Sequence, residues 1–200
     1  MTDVLAPTPE GIARAAELLR GGAVVAFPTD TVYGVAVSQR EHLPALFALK
    51  QRPVEKRIPM LVADLSQVTG TDDRARALAA RFWPGALTLV LPGPEDSDES
   101  QAFRAPDHPV ALELIRATGS IYATSANRSS EPDTLGADEV LIAFATQQDE
   151  LAAVLDGGAV PGGIPSTVVD LTVTPARILR EGPITRDHLA ELVELVEIAP

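Results

Sequence analysis

Cysteine is absent from this sequence, and its absence removes several kinds of chemistry at once. Without it there can be no disulfide, no thiolate nucleophile and no cysteine-based zinc site. This composition fits a reducing compartment. The first residues also lack the basic region and the apolar run of a signal peptide. We therefore expect a cytoplasmic protein.

Aromatic residues and long hydrophobic runs are also scarce. Aromatics make up 4% of the chain, although 46% of its 200 residues are hydrophobic. The core must therefore be built mainly from Ala, Val, Leu and Ile, and the length suits one compact domain over residues 1–200. Because each apolar run is short and is interrupted by proline or glycine, we expect no membrane span.

Positive charge is limited to 16 Lys and Arg residues against 28 Asp and Glu, which gives a net charge of −12. Proteins that bind nucleic acids through phosphate contacts are usually basic. Extensive direct binding of tRNA is therefore not expected. A small basic pocket remains compatible with this composition, because electrostatic steering depends on the local field.

Strand-like and helix-like segments alternate along the chain, which indicates a single α/β domain with a twisted mixed sheet and flanking helices. The short connection at 172–175 predicts that the last two strands are antiparallel. The predicted strands cover residues 23–27, 58–63, 86–91, 120–124, 166–171 and 176–180.

Helical spacing of apolar residues predicts five helices. The first begins at Thr8 and Pro9, the second contains Leu43 to Lys50, and the third is capped by Asp72. A fourth covers 110–117. The last is capped by Thr185, and we expect four of its residues to face inward: Leu189, Leu192, Val193 and Val196.

Several familiar motifs are missing from the chain. It has no P-loop, no Gly-x-Gly-x-x-Gly after a strand and no serine nucleophile elbow. The three histidines, His42, His108 and His188, are far apart and are best interpreted as surface or helix-end residues. We expect no metal site made by the protein. The acidic segment 94–100 and the glycine-rich segment 157–166 are interpreted as surface loops.

Both lysines of the chain, Lys50 and Lys56, lie in the segment KQRPVEKR, which contains four cations in eight residues. Cations are common at the C-terminus of a helix, where they stabilise its dipole, and this alone could explain them. However, Pro53 should end the helix just after Arg52, so that the cations continue into a loop. A loop with lysine and arginine suits a polyphosphate.

Polar clusters occur at the ends of three predicted strands: PTDT after AVVAF, TSAN at 124–127 and PST at 165–167. Serine and threonine at such places often only satisfy loop backbone groups. In open α/β sheets, however, ligands bind where loops diverge from strand ends. Three such clusters together with KQR favour a binding site.

The ordered set PTDTVYG, KQRP, FRAPDHP, TSAN, STVVD and ILREG resembles the YrdC-type threonylcarbamoyl-AMP synthase family, also called TsaC. The resemblance covers about residues 10–185. It implies the short, single-domain form, whereas longer relatives carry an extra C-terminal domain. It also implies a YrdC-like fold, in which a twisted sheet surrounds a concave basic cavity.

The resemblance implies that L-threonine, bicarbonate and ATP give L-threonylcarbamoyl-adenylate and pyrophosphate. The product would supply the threonylcarbamoyl group of a modified tRNA adenosine (t6A), transferred by separate partner proteins. Mg²⁺ would be carried with ATP, held by phosphate oxygens and water. Positioning and charge neutralisation would perform the catalysis, with no protein nucleophile.

The resemblance also assigns site residues. Lys50 and Arg52 are predicted to be catalytic and to bind the triphosphate, with support from Lys56. Thr29 and Arg104 are predicted to face threonine, with Arg104 on its carboxylate. Four further residues are predicted to line the nucleotide site: Ser125, Asn127, Ser166 and Arg180.

Four positions depart from the family pattern. Arg57 replaces a common Pro, Leu61 replaces a His of some relatives, and Glu181 follows Arg180 where Pro is usual. Asp133 stands where Ser is frequent, and it is expected to turn outward because a carboxylate repels phosphate. For the same reason Asp30 is expected to point away or to orient a water. These departures make strict specificity for threonine less secure than the use of ATP.

Two other functions fit the same fold. One is a paralogue that binds nucleotide or RNA as a regulatory or ribosome-linked module without this synthesis. The acidic composition disfavours its RNA-binding form. The other is a carbamoyl-transfer module like the one inside hydrogenase-maturation proteins, against which the lack of cysteine motifs and attached domains counts.

Overall fold

Thr8 begins the first helix as its sequence predicts. Its hydroxyl accepts a hydrogen bond from the Gly11 amide (3.3 Å), and Pro9 occupies the first turn, where a missing N–H costs nothing. The computed structural model describes residues 2–51, 58–93, 99–129 and 131–196. The helices in these ranges are α1 (Pro9–Arg20), α2 (Leu43–Lys50), α3 (Asp73–Phe82), α4 (Pro109–Thr118), α5 (Ala137–Ala143) and α6 (Arg186–Ala190).

Within the same ranges, ten strands form one mixed sheet in the order β1-β8-β2-β3-β7-β4-β6-β5-β9-β10. The strands are β1 (Asp3–Leu5), β2 (Val24–Phe27), β3 (Gly34–Val37), β4 (Met60–Leu61), β5 (Leu87–Pro92), β6 (Ser100–Arg104), β7 (Ile121–Ser125), β8 (Leu151–Leu155), β9 (Thr167–Asp170) and β10 (Arg177–Arg180).

The α/β class and all six predicted strands are confirmed, although 58–63 shortens to β4. The last two strands are antiparallel as expected, with Arg177 opposite Asp170. Four strands (β1, β3, β6 and β8) and helix α5 were not predicted. Among the described residues, none of the helices has the length and hydrophobicity that a membrane span requires.

The run AVVAF is apolar throughout because both faces of β2 are buried. Val25 and Phe27 pack on one face, against α1 and α4. Val24 and Ala26 pack on the other, against α2 and α5. A third cluster joins α3 to β5, β6 and β9. Burying one Leu or Val side chain completely contributes roughly 1.5–3 kcal/mol.

The core is mainly aliphatic, as the composition predicts, but three of the largest fully buried side chains are aromatic: Phe27, Tyr33 and Phe144. The three histidines are all at helix ends, as expected. His42 and His108 directly precede α2 and α4, and His188 completes the capping box of α6 with Thr185.

The C-terminal helix is shorter than its sequence pattern indicates. Leu189 and Val193 are buried as expected, but Leu192 and Val196 are 37% and 39% exposed, so the prediction that all four face inward is wrong. The reason is that α6 ends at Ala190. Beyond that residue the helical period of about 3.6 residues per turn no longer determines which side chains point inward.

Strand pairing places the polar clusters around one face of the sheet and not at a single edge, because β6 runs antiparallel to β7 and their last residues lie at opposite ends. Gly34, which follows PTDTVY, lies opposite Ser125 at the end of β7. Arg104, at the end of β6, lies beside Leu61 of β4. Thr167, at the start of β9, pairs with Leu87 of β5. Segments far apart in sequence therefore face a common space.

Candidate functional site

A cavity of about 450 Å³ opens over this face of the sheet, where alternate residues of β6 and β7 line it. Five of the nine predicted site residues line it: Thr29, Arg104, Ser125, Ser166 and Arg180. Lys50 and Asn127 lie next to the wall but do not line it in the described residues. The predictions for Arg52 and Lys56, like those for Pro53 and Arg57, fall outside the described residues.

The PTDT segment turns sharply around the Thr29 hydroxyl. This oxygen accepts from the amides of Thr31 (3.2 Å) and Val32 (3.3 Å) and donates to the Val32 carbonyl (2.6 Å). A threonine that satisfies backbone groups two and three residues on is a typical turn former. Thr29 therefore shapes this wall of the cavity, and its contact with substrate threonine stays a prediction.

Tyr33 fastens the glycine-rich segment 157–166 to the same wall. Its buried hydroxyl donates to the Gly158 carbonyl (2.7 Å) and accepts from the Gly157 amide (3.2 Å). Burial is the main cause that raises the pKa of Tyr33. Position 157 needs glycine, because a Cβ there would lie 2.6 Å from the Pro28 ring. Since Gly163 lines the cavity, this segment is part of its wall as well as a loop.

Arg104 projects into the cavity from the end of β6 and is held by three groups. Nη2 lies 2.7 Å from both carboxylate oxygens of Asp30, Nε donates to the Gly85 carbonyl (3.0 Å), and Nη1 lies 3.5 Å from Thr31 Oγ1. Asp30 does not line the cavity, as expected, and its carboxylate pairs with Arg104, while its role toward a water stays a prediction. Both side chains are largely buried, 12% exposed for Arg104 and 16% for Asp30.

Arg180 forms a second cationic wall with Ser166. Its Nε donates to the Ser166 carbonyl (3.0 Å) and Nη2 to the Ser166 hydroxyl (3.1 Å). Burial, and secondarily the charge of Arg104, lower the pKa of Arg180. Thr88, which the sequence reasoning missed, lies 2.8 Å from the Ser166 hydroxyl. Thr88 could have been found from the sequence, because it is the single polar residue in the buried strand ALTLVL.

Lys50 lies beneath the TSAN segment and is only 2% exposed. Its ammonium donates to the main-chain oxygens of Ser125 and Asn127 (2.6 Å for Asn127), and it lies 3.2 Å from Asn127 Oδ1. Helix α2 ends at Lys50 and Gln51 is left-handed, so the helix stops before the predicted boundary at Arg52. Whether Lys50 also contacts phosphate stays a prediction.

The TSAN segment is further fixed by its own side chains. The Ser125 hydroxyl donates to Asn127 Oδ1 (2.6 Å), and Asn127 Nδ2 donates to the Glu131 carbonyl (2.5 Å). Asp133 is exposed and lines the cavity, so the expectation that it turns away is wrong. Leu61 also lines it.

Two remaining expectations concern metals and the acidic loop. Among residues 2–51, 58–93, 99–129 and 131–196, no group of three or more acidic or histidine side chains could hold a metal ion.

Most of the acidic segment, 94–98, lies outside the described residues. Glu99 forms an ion pair with Arg40 (2.7 Å) on the surface.

Comparison with known proteins gives a consistent result. The Sua5/YciO/YrdC family model, described as "Telomere recombination", matches residues 17–182. The chain is 37% identical to the threonylcarbamoyl-AMP synthase of Bacillus subtilis, covering 99% of this chain but 61% of that protein. It is 35% identical to a putative threonylcarbamoyl-AMP synthase of Mycobacterium tuberculosis, covering 92% of this chain and 89% of that protein.

Solved structures agree in fold. Sua5 of P. abyssi, in a structure described as complexed with L-threonine, gives a TM-score of 0.86 at 31% identity, with 98% of this chain and 62% of that one covered. YciO of E. coli gives 0.79 at 24% identity, with 92% and 97% covered. The chain thus spans about three fifths of the length of the Bacillus and P. abyssi proteins.

Proposed function

Because the chain belongs to the Sua5/YciO/YrdC family, we propose that it is a threonylcarbamoyl-AMP synthase. It joins L-threonine, bicarbonate and ATP to give L-threonylcarbamoyl-adenylate and pyrophosphate. The observation that carries this proposal is one cavity lined by two arginines, the largely buried Arg104 and the exposed Arg180, and by the hydroxyls of the predicted polar clusters. Such a cavity suits two anionic substrates held side by side.

The chemistry needs little covalent help from the protein. The amine of threonine captures carbon dioxide, which bicarbonate supplies with loss of water, and forms a carbamate. A carbamate oxygen then forms a bond to the α-phosphorus of ATP while the bond to the bridging oxygen breaks and pyrophosphate leaves. Holding the reactants in line and neutralising developing charge are the main contributions of a protein to such transfers.

The end of the cavity near β6 is assigned to threonine. Nε and Nη2 of Arg104 are engaged by Gly85 and Asp30, whereas Nη1 has only the long 3.5 Å contact with Thr31 Oγ1 and is assigned to the substrate carboxylate. Thr29 lies beside it and contributes the polar wall of the PTDT turn. A P. abyssi relative described as complexed with L-threonine supports this choice of amino acid.

The walls on both sides of β6 are assigned to ATP. Arg180 and the hydroxyls of Ser125 and Ser166 face the same space, and a guanidinium with adjacent hydroxyls is well suited to phosphate. Lys50, Arg52, Lys56 and Asn127 complete the proposed nucleotide site, with Lys50 and Arg52 catalytic. Mg²⁺ enters with ATP and is held by phosphate oxygens and water.

The adenylate product is a reactive mixed anhydride, so a separate protein must accept the threonylcarbamoyl group and transfer it to tRNA. We place this chain in the cytoplasm, where tRNA and ATP are available. Its net charge of −12 makes extensive direct contact with tRNA unfavourable.

Omitting substrates one at a time tests the proposed function. Pyrophosphate release from ATP should require both L-threonine and bicarbonate, because the carbamate is the nucleophile. Release should therefore fall to background when either is left out, as measured by a coupled phosphate assay. Release that continues unchanged without threonine would contradict the proposal and favour a nucleotide-binding paralogue.

A further inference from the structure

Asp30 has no role in the reaction as described so far, yet it forms a well-defined ion pair. Both of its carboxylate oxygens lie 2.7 Å from Arg104 Nη2. Arg104 lines the cavity, whereas Asp30 lies behind it and is not among the lining residues. Asp30 can therefore influence a ligand through Arg104.

We propose that Asp30 is a positioning and specificity-determining residue: it orients Arg104 and offsets its charge, so that this end of the cavity accepts an amino-acid carboxylate and disfavours phosphate. The inference rests on the proposed function, since it assumes that Arg104 binds threonine.

The positioning part follows from the contacts of Arg104. A free arginine side chain samples many rotamers, and a ligand that immobilises it must offset that entropy. Here the Gly85 carbonyl holds Nε and Asp30 holds Nη2, so one orientation is set before substrate arrives. Asp30 is itself fixed, because the Thr29 hydroxyl binds the amides of Thr31 and Val32 on its C-terminal side.

The selectivity part follows from the charges that face the cavity. Arg104 and Arg180 line the same cavity, so without Asp30 both would attract the phosphates of ATP. Asp30 balances Arg104, while the described contacts of Arg180 are to neutral Ser166 oxygens. A multiply charged phosphate is therefore favoured at Arg180, and a singly charged carboxylate suffices at Arg104.

The test uses Asp30→Asn, which keeps the size of the side chain and removes its charge. Threonine KM should rise about tenfold, the lower limit for loss of a charged hydrogen bond. The KM for ATP should change much less. Inorganic phosphate should inhibit the variant more strongly than the unchanged protein, in competition with threonine. Asp73→Asn is the matched control, because Asp73 pairs with Arg76 (2.8 Å) on the exposed surface.

A second variant separates the two parts of the proposal. Asp30→Glu retains the charge but moves the carboxylate, so it should leave phosphate inhibition as in the unchanged protein while threonine KM still rises. It also serves if Asp30→Asn does not fold. Calorimetric titration with threonine in the presence of a non-hydrolysable ATP analogue should show the same changes in affinity.

The outcomes distinguish this inference from the proposed function. If the unchanged protein releases pyrophosphate without needing threonine, the proposed function itself fails. If it needs threonine, but Asp30→Asn leaves threonine KM and phosphate inhibition unaltered, the role of Asp30 is overturned. If Asp30→Asn lowers kcat but leaves the KM values for threonine and ATP unchanged, the proposed role of Asp30 is also overturned. That result would indicate a merely structural role.

Discussion

Replacing Lys50 with alanine is expected to lower the rate of pyrophosphate release by roughly 10- to 150-fold, since a charge-assisted hydrogen bond contributes ~1.5–3 kcal/mol. The side chain is proposed to contact the triphosphate. Its ammonium also supports the segment that carries Ser125 and Asn127 into the site. Losing it therefore removes a cation and loosens a wall of the cavity.

The same variant should also be less stable. Lys50 is buried, and its removal leaves the Asn127 carbonyl without this donor. An unsatisfied buried acceptor costs about 1–3 kcal/mol, and urea denaturation should show a lower free energy of unfolding by this amount. Turnover measured well below the denaturation midpoint separates the effect on the rate from the effect on folding.

Arg20→Ala is the matched control for Lys50→Ala. Arg20 is likewise the last residue of a helix and donates to a main-chain oxygen, that of Ala117 (2.7 Å), but it is exposed and does not line the cavity. It should leave turnover unchanged. A Lys50→Ala protein that retains the full rate would remove Lys50 from the catalytic assignment.

Arg104→Ala is expected to raise threonine KM by roughly 10- to 150-fold, again from the loss of one charged contact. The KM for ATP should change far less, because the nucleotide is assigned to other residues of the cavity. Steady-state kinetics with each substrate varied in turn measures both values.

Arg180→Ala provides the internal control for Arg104→Ala, because it removes the same side chain from the other wall of the cavity. It should raise the KM for ATP more than that for threonine. If Arg104→Ala raises both KM values equally, the assignment of the two ends of the cavity is wrong. Arg104→Lys keeps a positive charge beside Asp30. It checks that the rise in threonine KM is not caused by leaving the Asp30 carboxylate without a cation.

A strand could be predicted from the sequence where its own residues indicate whether its faces are buried. AVVAF was recognisable because both of its faces are buried. LAAVL, the strand β8, was missed because Ala and Leu favour helices when considered alone. It is a strand because it lies in parallel between β1 and β2, and a single segment does not reveal such neighbours.

The sequence also predicted only part of the candidate site. Motif positions identified Thr29, Arg104, Ser125, Ser166 and Arg180 as residues of one cavity. The pairs that organise it were not found. Asp30 and Arg104 are 74 positions apart, and Thr88 and Ser166 are 78 apart. Strand order decides such contacts, and residue type at one position carries no information about a partner so distant.

The central claim is that this chain builds a carbamate of threonine onto AMP. The most direct measurement is mass spectrometry of a quenched reaction that contains ATP, L-threonine and bicarbonate labelled with heavy carbon. The account predicts a species containing AMP, threonine and the labelled carbon, and no such species when threonine is omitted. A reaction that releases pyrophosphate while the labelled carbon stays out of every adenylate product would contradict it.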